Sequence, residues 1–160
     1  MAEIRHFEPE TFRACDSIGY LLKLALGSLV DRAGAAFEGS DVSFMQWIAL
    51  LRVHEGASRT AGDLCRAMRY DTGAVTRLLD QLETRGLLTR ERSREDRRVV
   101  ALQTTEAGAE MVARLKPMFV DELNHVVATF SADELAELLR LLHKLIDRVQ
   151  VLNQEDGKAS

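Results

Sequence analysis

The apolar positions of the sequence follow a helical period over most of the chain and a strand-like period in one short central stretch. Apolar residues recurring every three or four positions, with start and stop signals, predict helices over 9–37, 43–54, 61–68, 72–85, 105–127 and 131–153. The last of these helices is the most strongly amphipathic. The pattern therefore predicts a mainly α-helical fold.

Local signals mark where these helices begin and end. Three pairs have the spacing of a capping box: Ser43 with Gln46, Thr60 with Asp63, and Ser131 with Glu134. In such a box each side chain bonds the other residue's free backbone N–H, which fixes the helix start. Gly86 stands where a left-handed residue would end a helix, and Pro117 predicts a kink because proline lacks the backbone donor.

The central strand-like stretch follows Gly86. Residues 87–92 and 98–103 predict two short strands, and the wholly polar segment 93–97 suits the tip of a hairpin. Before it, two short helices are joined by a tight turn at residues 69 and 70. Two such helices followed by a β-hairpin form a winged helix-turn-helix, so the predicted fold is mainly α with one small β-hairpin.

The second helix of such a pair can enter the major groove of DNA with its N-terminal end. Small residues at that end permit close approach to the bases, and arginines on the hairpin suit a narrow minor groove. We expect an acidic residue beside them to hold a neighbouring arginine in place. The predicted DNA-binding residues are Arg69, Asp71, Thr72, Gly73, Thr76, Arg77, Arg90, Ser93, Arg94, Asp96, Arg97 and Arg98. The alternative is an ordinary solvated, charged hairpin.

The distribution of charge strengthens the prediction of a nucleic-acid partner. The chain has 160 residues and a formal net charge of −4, which by itself argues against DNA. However, 17 of its 21 basic residues are arginine, and residues 59–98 contain ten arginines, no lysine and seven acids. That segment therefore carries +3 and the remainder −7. A local basic surface on an acidic body is typical of a protein that binds DNA through one edge.

The residues of this region resemble the MarR family of bacterial transcription regulators. The resemblance rests on TRLLDQLETRGLLTR at residues 76–90, SREDRR at 93–98 and TEAG at 105–108. It covers roughly residues 43–110, and the order of the flanking helices extends it over the whole chain. The resemblance implies a winged-helix regulator that binds double-stranded DNA at a pseudo-palindromic operator.

The family resemblance also implies a homodimer built from the terminal helices. The apolar stripes of the first and last helices agree with this, because a small winged domain cannot cover both. We therefore expect dimerisation regions at residues 1–42 and 105–153, a winged helix-turn-helix at 43–104 and a polar tail at 154–160, all in one structural domain. The predicted dimerisation residues are Ile4, Phe7, Phe12, Leu135, Leu138, Leu142, Leu145, Ile146 and Val149. The alternative is a monomer whose terminal helices fold back on its core.

A further implication of the resemblance is repression relieved by a small, often aromatic or anionic, effector between the dimerisation helices and the winged domain. Such a ligand changes the spacing of the recognition helices only if it favours one spacing over another. The predicted pocket residues are Arg13, Tyr20, Phe44, Trp47, Ile48, His54 and Met68, with His6 as an alternative partner for a carboxylate. Each of the apolar ones also suits an ordinary core position.

Two alternative functions remain open for a protein of this fold. One branch of the family senses hydroperoxides through a first-helix cysteine, but Cys15 lies about one turn too early and lacks tyrosine partners on the second helix, which favours an incidental thiol. Cys65 is expected to be packed. The other alternative is a winged helix that binds a protein and not DNA. Activation in place of repression is also compatible with the sequence.

Catalytic and membrane functions find no support in the sequence. It contains no Walker loop, GxGxxG or GxSxG motif, and its His54-Glu55 pair lacks the second histidine of a zinc protease. We expect no catalytic residues, no metal site and no cofactor. The first residues have no apolar core of a secretory signal, and no stretch is long enough to span a bilayer, so a cytoplasmic location is the default expectation.

Overall fold

The structure is a computed structural model that describes residues 5–92 and 100–156. Within this part of the chain, a short 3-10 turn at Ala14–Asp16 is followed by six α-helices and a two-stranded sheet. The elements are α1 (Ile18–Ala36), α2 (Phe44–His54), α3 (Ala61–Met68), α4 (Thr72–Thr84), β1 (Leu88–Arg92), β2 (Val100–Thr104), α5 (Glu106–Val126) and α6 (Ala132–Asp156). The predicted fold class, mainly α with one winged β-hairpin, is confirmed.

The predicted first helix, 9–37, begins too early. Residues before Ile18 form turns, and Arg13 and Ser17 both have extended backbone (ψ 143° and 127°), which interrupts any helix reaching back to Pro9. The apolar Phe12 lies in this irregular segment and stacks edge-on with Phe7, with ring centroids 5.9 Å apart. Helical spacing of apolar residues therefore continued here without helical backbone.

The predicted helix across Pro117 is present as α5, from Glu106 to Val126, and the boundary of the last helix changes. The last helix reaches Asp156, three residues into the segment predicted to be a polar tail, and the rest of that tail lies outside the described residues. All three predicted capping boxes are present, at the starts of α2, α3 and α6.

The chain divides into two compact units, residues 1–119 and 120–160. The first unit holds the hydrophobic core, in which α2, α3 and α4 pack against both strands and the start of α5. Its largest fully buried side chains include Trp47, Leu50, Leu64, Leu79 and Leu82. In the second unit, α6 keeps long apolar side chains exposed, including Leu138, Ile146 and Val149.

The hairpin is antiparallel, and its central residues connect it to the rest of the first unit. Leu88 pairs with Thr104 and Arg92 with Val100, so Arg90 lies opposite Leu102 in the middle of the ladder. The Leu102 N–H donates to the Arg59 carbonyl at 2.8 Å, which joins β2 to the connection between α2 and α3. The middle of the hairpin is thereby attached to the helical core.

The junction between β1 and α5 depends on a close backbone approach. Thr105 donates its N–H to the Leu87 carbonyl at 3.2 Å and its hydroxyl to the Gly86 carbonyl at 2.7 Å, and its hydroxyl oxygen accepts the Gly108 N–H at 3.0 Å. A Cβ placed on Gly108 would lie 2.0 Å from the Leu87 carbonyl oxygen. The chain can therefore turn into α5 here only because position 108 has no side chain.

Candidate nucleic-acid interface

The turn between α3 and α4 is built on a residue in the left-handed conformation. Arg69, at the C-cap of α3, has φ 55° and ψ 35°, and it is the only non-glycine residue with positive φ in the described part of the chain. The Tyr70 N–H closes this turn on the Cys65 carbonyl at 3.3 Å. A left-handed arginine costs free energy that glycine would not. A contact of Arg69 with DNA stays a prediction.

Replacing Arg69 with glycine should therefore stabilise the fold. We expect Arg69→Gly to raise the free energy of unfolding by about 1 kcal/mol, because glycine adopts this conformation without a Cβ clash. The matched control is Arg66→Gly in the right-handed part of α3, which should lose about 1 kcal/mol. Urea unfolding followed by circular dichroism measures both, and a less stable Arg69→Gly variant would show that the turn is not strained.

Helix α4 divides sharply into a buried and an exposed face. Val75, Leu78, Leu79 and Leu82 are all buried in the core. On the opposite face of the first two turns, Thr72, Gly73, Thr76 and Arg77 are exposed. Because only small or short side chains and one arginine stand there, the N-terminal half of α4 could approach another molecule closely.

The N-terminus of α4 is capped by an acid of its own chain. The Asp71 carboxylate accepts the Ala74 N–H at 2.9 Å. This bond, followed by that from Gly73 and the charge of Arg77, keeps the pKa of Asp71 below its usual value, although desolvation opposes the shift. Asp71 therefore orients α4 and satisfies its first free donors. A direct contact of Asp71 with DNA stays a prediction.

The hydroxyl of Thr76 is also engaged within the helix. It donates to the Thr72 carbonyl at 2.7 Å, so its oxygen lone pairs are what it presents outward. Thr76 is thereby fixed as a hydrogen-bond acceptor on the exposed face.

Arg90, predicted from the sequence to bind DNA, lies on β1 and faces α4. Its guanidinium Nη1 is 2.6 Å from Asp80 Oδ1 and 3.1 Å from Glu83 Oε2, and its Nη2 donates to the Thr76 carbonyl at 3.4 Å. The roles of Asp80 and Glu83 were not predicted from the sequence. The signal that could have found them is a pair of acids one turn apart on the exposed face of α4, followed by an arginine on the next strand.

A second link to α4 that the sequence did not reveal comes from Gln46. Its Oε1 accepts the Ser43 N–H at 2.9 Å, while its Nε2 donates to Gln81 Oε1 at 2.6 Å. One largely buried amide therefore caps α2 and attaches it to α4. Together with the Arg90 pairs, it fixes the position of α4 from two sides.

The predicted DNA-binding residues of the hairpin tip, Ser93, Arg94, Asp96, Arg97 and Arg98, lie outside the described residues. The structure ends on either side of them, at Arg92 in β1 and Val100 in β2. Their contact with DNA stays a prediction.

The predicted effector residues fall into different environments. Trp47 is fully buried, and Phe44, Ile48 and Met68 are half-buried against the same core. Arg13, Tyr20 and His54 are exposed, and His54 Nδ1 lies 3.4 Å from Thr104 Oγ1. His6 is exposed as well. The structure therefore brings only the apolar candidates together, which is the arrangement that a core also requires.

The buried candidates form part of an aromatic cluster. Trp47 lies with ring centroids 5.3 Å from Phe37 and 4.9 Å from Phe119, and Phe44 is 5.5 Å and 5.4 Å from the same two rings. The Trp47 indole Nε1 is buried without a hydrogen-bond acceptor among the residues that the structure describes. A buried donor without an acceptor is uncommon and costs free energy.

The two cysteines differ in their surroundings. Cys15 is exposed in the 3-10 turn before α1, and its thiol lies 3.8 Å from an Asp16 carboxylate oxygen. An acidic neighbour gives no stabilisation to a reactive thiolate. Cys65 packs against the core from α3, as expected.

Residues 5–92 and 100–156 contain neither a metal-binding cluster nor a membrane-spanning helix. No group of three or more histidine, cysteine or acidic side chains is placed to hold a metal ion. None of the helices there combines the length and apolar character needed to cross a bilayer.

Comparison with known proteins finds similarity to one family of transcription regulators. A profile of the MarR family matches residues 40–99. The apo form of wild-type MarR from E. coli is 25% identical, with a TM-score of 0.68 over 81% of this chain and 96% of that one. MepR of S. aureus, solved with DNA, is 22% identical with a TM-score of 0.70 over 82% of this chain and 98% of its own.

A third similar structure is that of BpsR from Bordetella bronchiseptica, whose DNA binding is regulated by 6-hydroxynicotinic acid. It is 21% identical to this chain, with a TM-score of 0.75 over 85% of this chain and 97% of that one. The profile covers the helix-turn-helix and β1 and ends just before β2, and the structural similarity extends over most of the chain. This chain therefore matches the MarR family over residues 40–99 and has the fold of the family's winged-helix transcription regulators.

Proposed function

We propose that the protein is a dimeric transcription regulator that binds a pseudo-palindromic operator and represses until a small ligand releases it. The observation that carries the DNA-binding part is the exposed N-terminal face of α4, with Thr72, Thr76 and Arg77 outward and its apolar face locked in the core. Side chains of these types donate to and accept from base edges and phosphates. Such a regulator acts in the cytoplasm, where bacterial DNA lies.

Two of the similar structures support this proposal. MepR is described in complex with DNA, and BpsR as a protein whose DNA binding responds to 6-hydroxynicotinic acid. We carry over the class of partner only: duplex DNA, and a small effector of aromatic or anionic character.

The test is binding to the DNA that flanks the protein's own gene. We expect fluorescence anisotropy to detect a specific complex whose affinity falls steeply with salt, because the bound protein displaces counterions from phosphates. Footprinting should show two protected half-sites about 34 Å, one DNA turn, apart. Absence of binding at low salt, together with a stable complex with another protein, would favour the interaction-module alternative.

The dimer part of the proposal rests on unpartnered apolar helix faces. On α1, side chains including Ile18, Leu22 and Leu26 are exposed, and on α6 the predicted Leu138, Ile146 and Val149 are 38%, 50% and 42% exposed. The predicted Leu135, Leu142 and Leu145 share that stripe and are half-buried. Faces of this kind are typical of an interface between subunits. Of the other predicted dimerisation residues, Phe7 and Phe12 are exposed and Ile4 lies outside the described residues.

A charge in the α6 stripe should therefore separate the protomers. We expect Ile146→Lys to convert a dimer into a monomer at micromolar concentration, because dimerisation would bury an unpaired ammonium group. The control is Val151→Lys, which changes an equally exposed apolar side chain on the other side of the same helix. Light scattering after size-exclusion chromatography distinguishes the two, and a dimeric Ile146→Lys variant would refute the interface.

A further inference from the structure

We propose that Asp80 and Glu83 are positioning residues for DNA recognition, which act by holding Arg90 and so fixing the hairpin against α4. We call Asp80, Glu83 and Arg90 the α4–β1 clamp. The proposal rests on the DNA-binding function proposed above and assigns a positive role to two acids on the face that would approach DNA. It also changes the predicted role of Arg90 from DNA contact to internal bridge.

The geometry of the clamp is that of a bridge between two elements. Asp80 and Glu83 lie one turn apart on α4, and a single Arg90 nitrogen reaches both carboxylates, at 2.6 and 3.1 Å. The Arg90 side chain is only 26% exposed, whereas those of Arg66 and Arg140, paired within their own helices, are 76% and 58% exposed. The guanidinium of Arg90 is thus largely committed to contacts inside the protein.

The clamp acts on the part of the hairpin that determines its direction. Arg90 is the middle residue of β1, opposite Leu102, whose N–H is bonded to the Arg59 carbonyl. The hairpin is therefore fixed at its centre, by a backbone bond on the β2 side and by the clamp on the β1 side. Its two strands lead to residues 93–99, so a change in the angle between β1 and α4 would be transmitted to the hairpin tip.

Simple electrostatics and the clamp predict opposite effects for neutralising the acids. Removing two negative charges near DNA should strengthen binding by reducing repulsion from phosphates. If the acids instead hold the hairpin, Asp80→Asn/Glu83→Gln should weaken operator binding, by about tenfold for a coupling of the size usual in ion-pair networks. The sign of the change therefore separates the two explanations.

The experiment measures operator affinity by anisotropy for the full-length protein and four variants. We expect Asp80→Asn/Glu83→Gln to bind about tenfold more weakly at an unchanged salt slope, since no phosphate contact is lost. The control Glu91→Gln neutralises an exposed acid on β1 outside the clamp and should bind as the wild type or more tightly. Arg90→Lys keeps the positive charge but loses the second guanidinium nitrogen, which bonds the Thr76 carbonyl, so it should also bind more weakly.

The fourth variant reverses the bridge. In Asp80→Arg/Glu83→Gln/Arg90→Glu the ion pair is rebuilt with opposite polarity, and we expect much of the affinity to return. A glutamate at position 90 would repel phosphate, so recovery would show that operator binding needs no positive charge at position 90. Neutralised acids that leave affinity equal or higher, or an Arg90→Lys variant that binds normally, would overturn the clamp.

A failure of the clamp proposal can be distinguished from a failure of the proposed DNA-binding function. A wild-type protein that binds no duplex contradicts the DNA-binding function itself. Hydrogen exchange then still tests the bridge: amides of β1 and β2 should exchange faster in Asp80→Asn/Glu83→Gln than in the wild type, because the hairpin opens more often. Unchanged exchange would show that the ion pairs do not hold the hairpin.

Discussion

Adding one methyl group at Gly108 should destabilise the protein more than any exposed substitution proposed above. We expect Gly108→Ala to lower the free energy of unfolding by about 3 kcal/mol, at the upper end of what overpacking costs. The Cβ would lie 2.0 Å from the Leu87 carbonyl oxygen and 3.0 Å from its carbon, both backbone atoms that no rotamer change can move. Either β1 or the start of α5 must shift.

The shift would also break bonds that define the junction. The Leu87 carbonyl accepts the Thr105 N–H, and Thr105 in turn caps α5 through Gly108. Urea unfolding at a fixed protomer concentration measures the loss, because a dimer's stability depends on concentration. The control is Gly62→Ala in α3, where a Cβ meets only flexible side-chain atoms at 3.7 Å and stability should change by less than about 1 kcal/mol. Equal stability of Gly108→Ala and wild type would disprove the close approach.

The sequence predicted well the features that depend on residues close together in the chain. The boundaries of α3 and its cap at Thr60 depend on bonds spanning three residues, so the spacing of polar side chains is enough to identify them. Gly86 behaved similarly, with φ +69° immediately after the C-cap of α4. The exposed face of α4 followed from periodicity, because its apolar residues occupy one side.

Features set by distant contacts were not predictable in the same way. Gly86 and Gly108 look alike in the sequence, yet one serves a left-handed turn and the other a close backbone approach to Leu87. The pairing of Asp80 with Arg90 spans ten residues and requires β1 to lie back against α4. The start of α1 was wrong because apolar spacing does not report backbone angles, and Ser17 is extended. Interactions between elements thus needed the structure.

Arg77 is the residue of α4 whose loss should affect DNA binding most. It is exposed on the N-terminal half of the helix, beside Gly73 and Thr76, and its charge acts on the Asp71 cap. Unlike Arg90, it has no ion-pair or hydrogen-bond partner at close range among the described residues. Its guanidinium is therefore available for a base edge or a phosphate.

We expect Arg77→Ala to weaken operator binding by roughly a hundredfold or more, since a dimer loses the contact twice and each arginine contact contributes about 1–3 kcal/mol. Anisotropy titrations with operator and random DNA over a range of salt concentrations show whether Arg77 contacts a base or a phosphate. Loss of a base contact removes discrimination between the two DNAs, whereas loss of two phosphate contacts weakens binding to both and lowers the salt slope by about 2.

The control, Arg140→Ala, removes an exposed arginine bonded to Glu137 within α6 and should bind normally. Because Arg77 is exposed, the variant should unfold at the wild-type urea concentration, so unchanged affinity would exclude this face of α4 from DNA recognition.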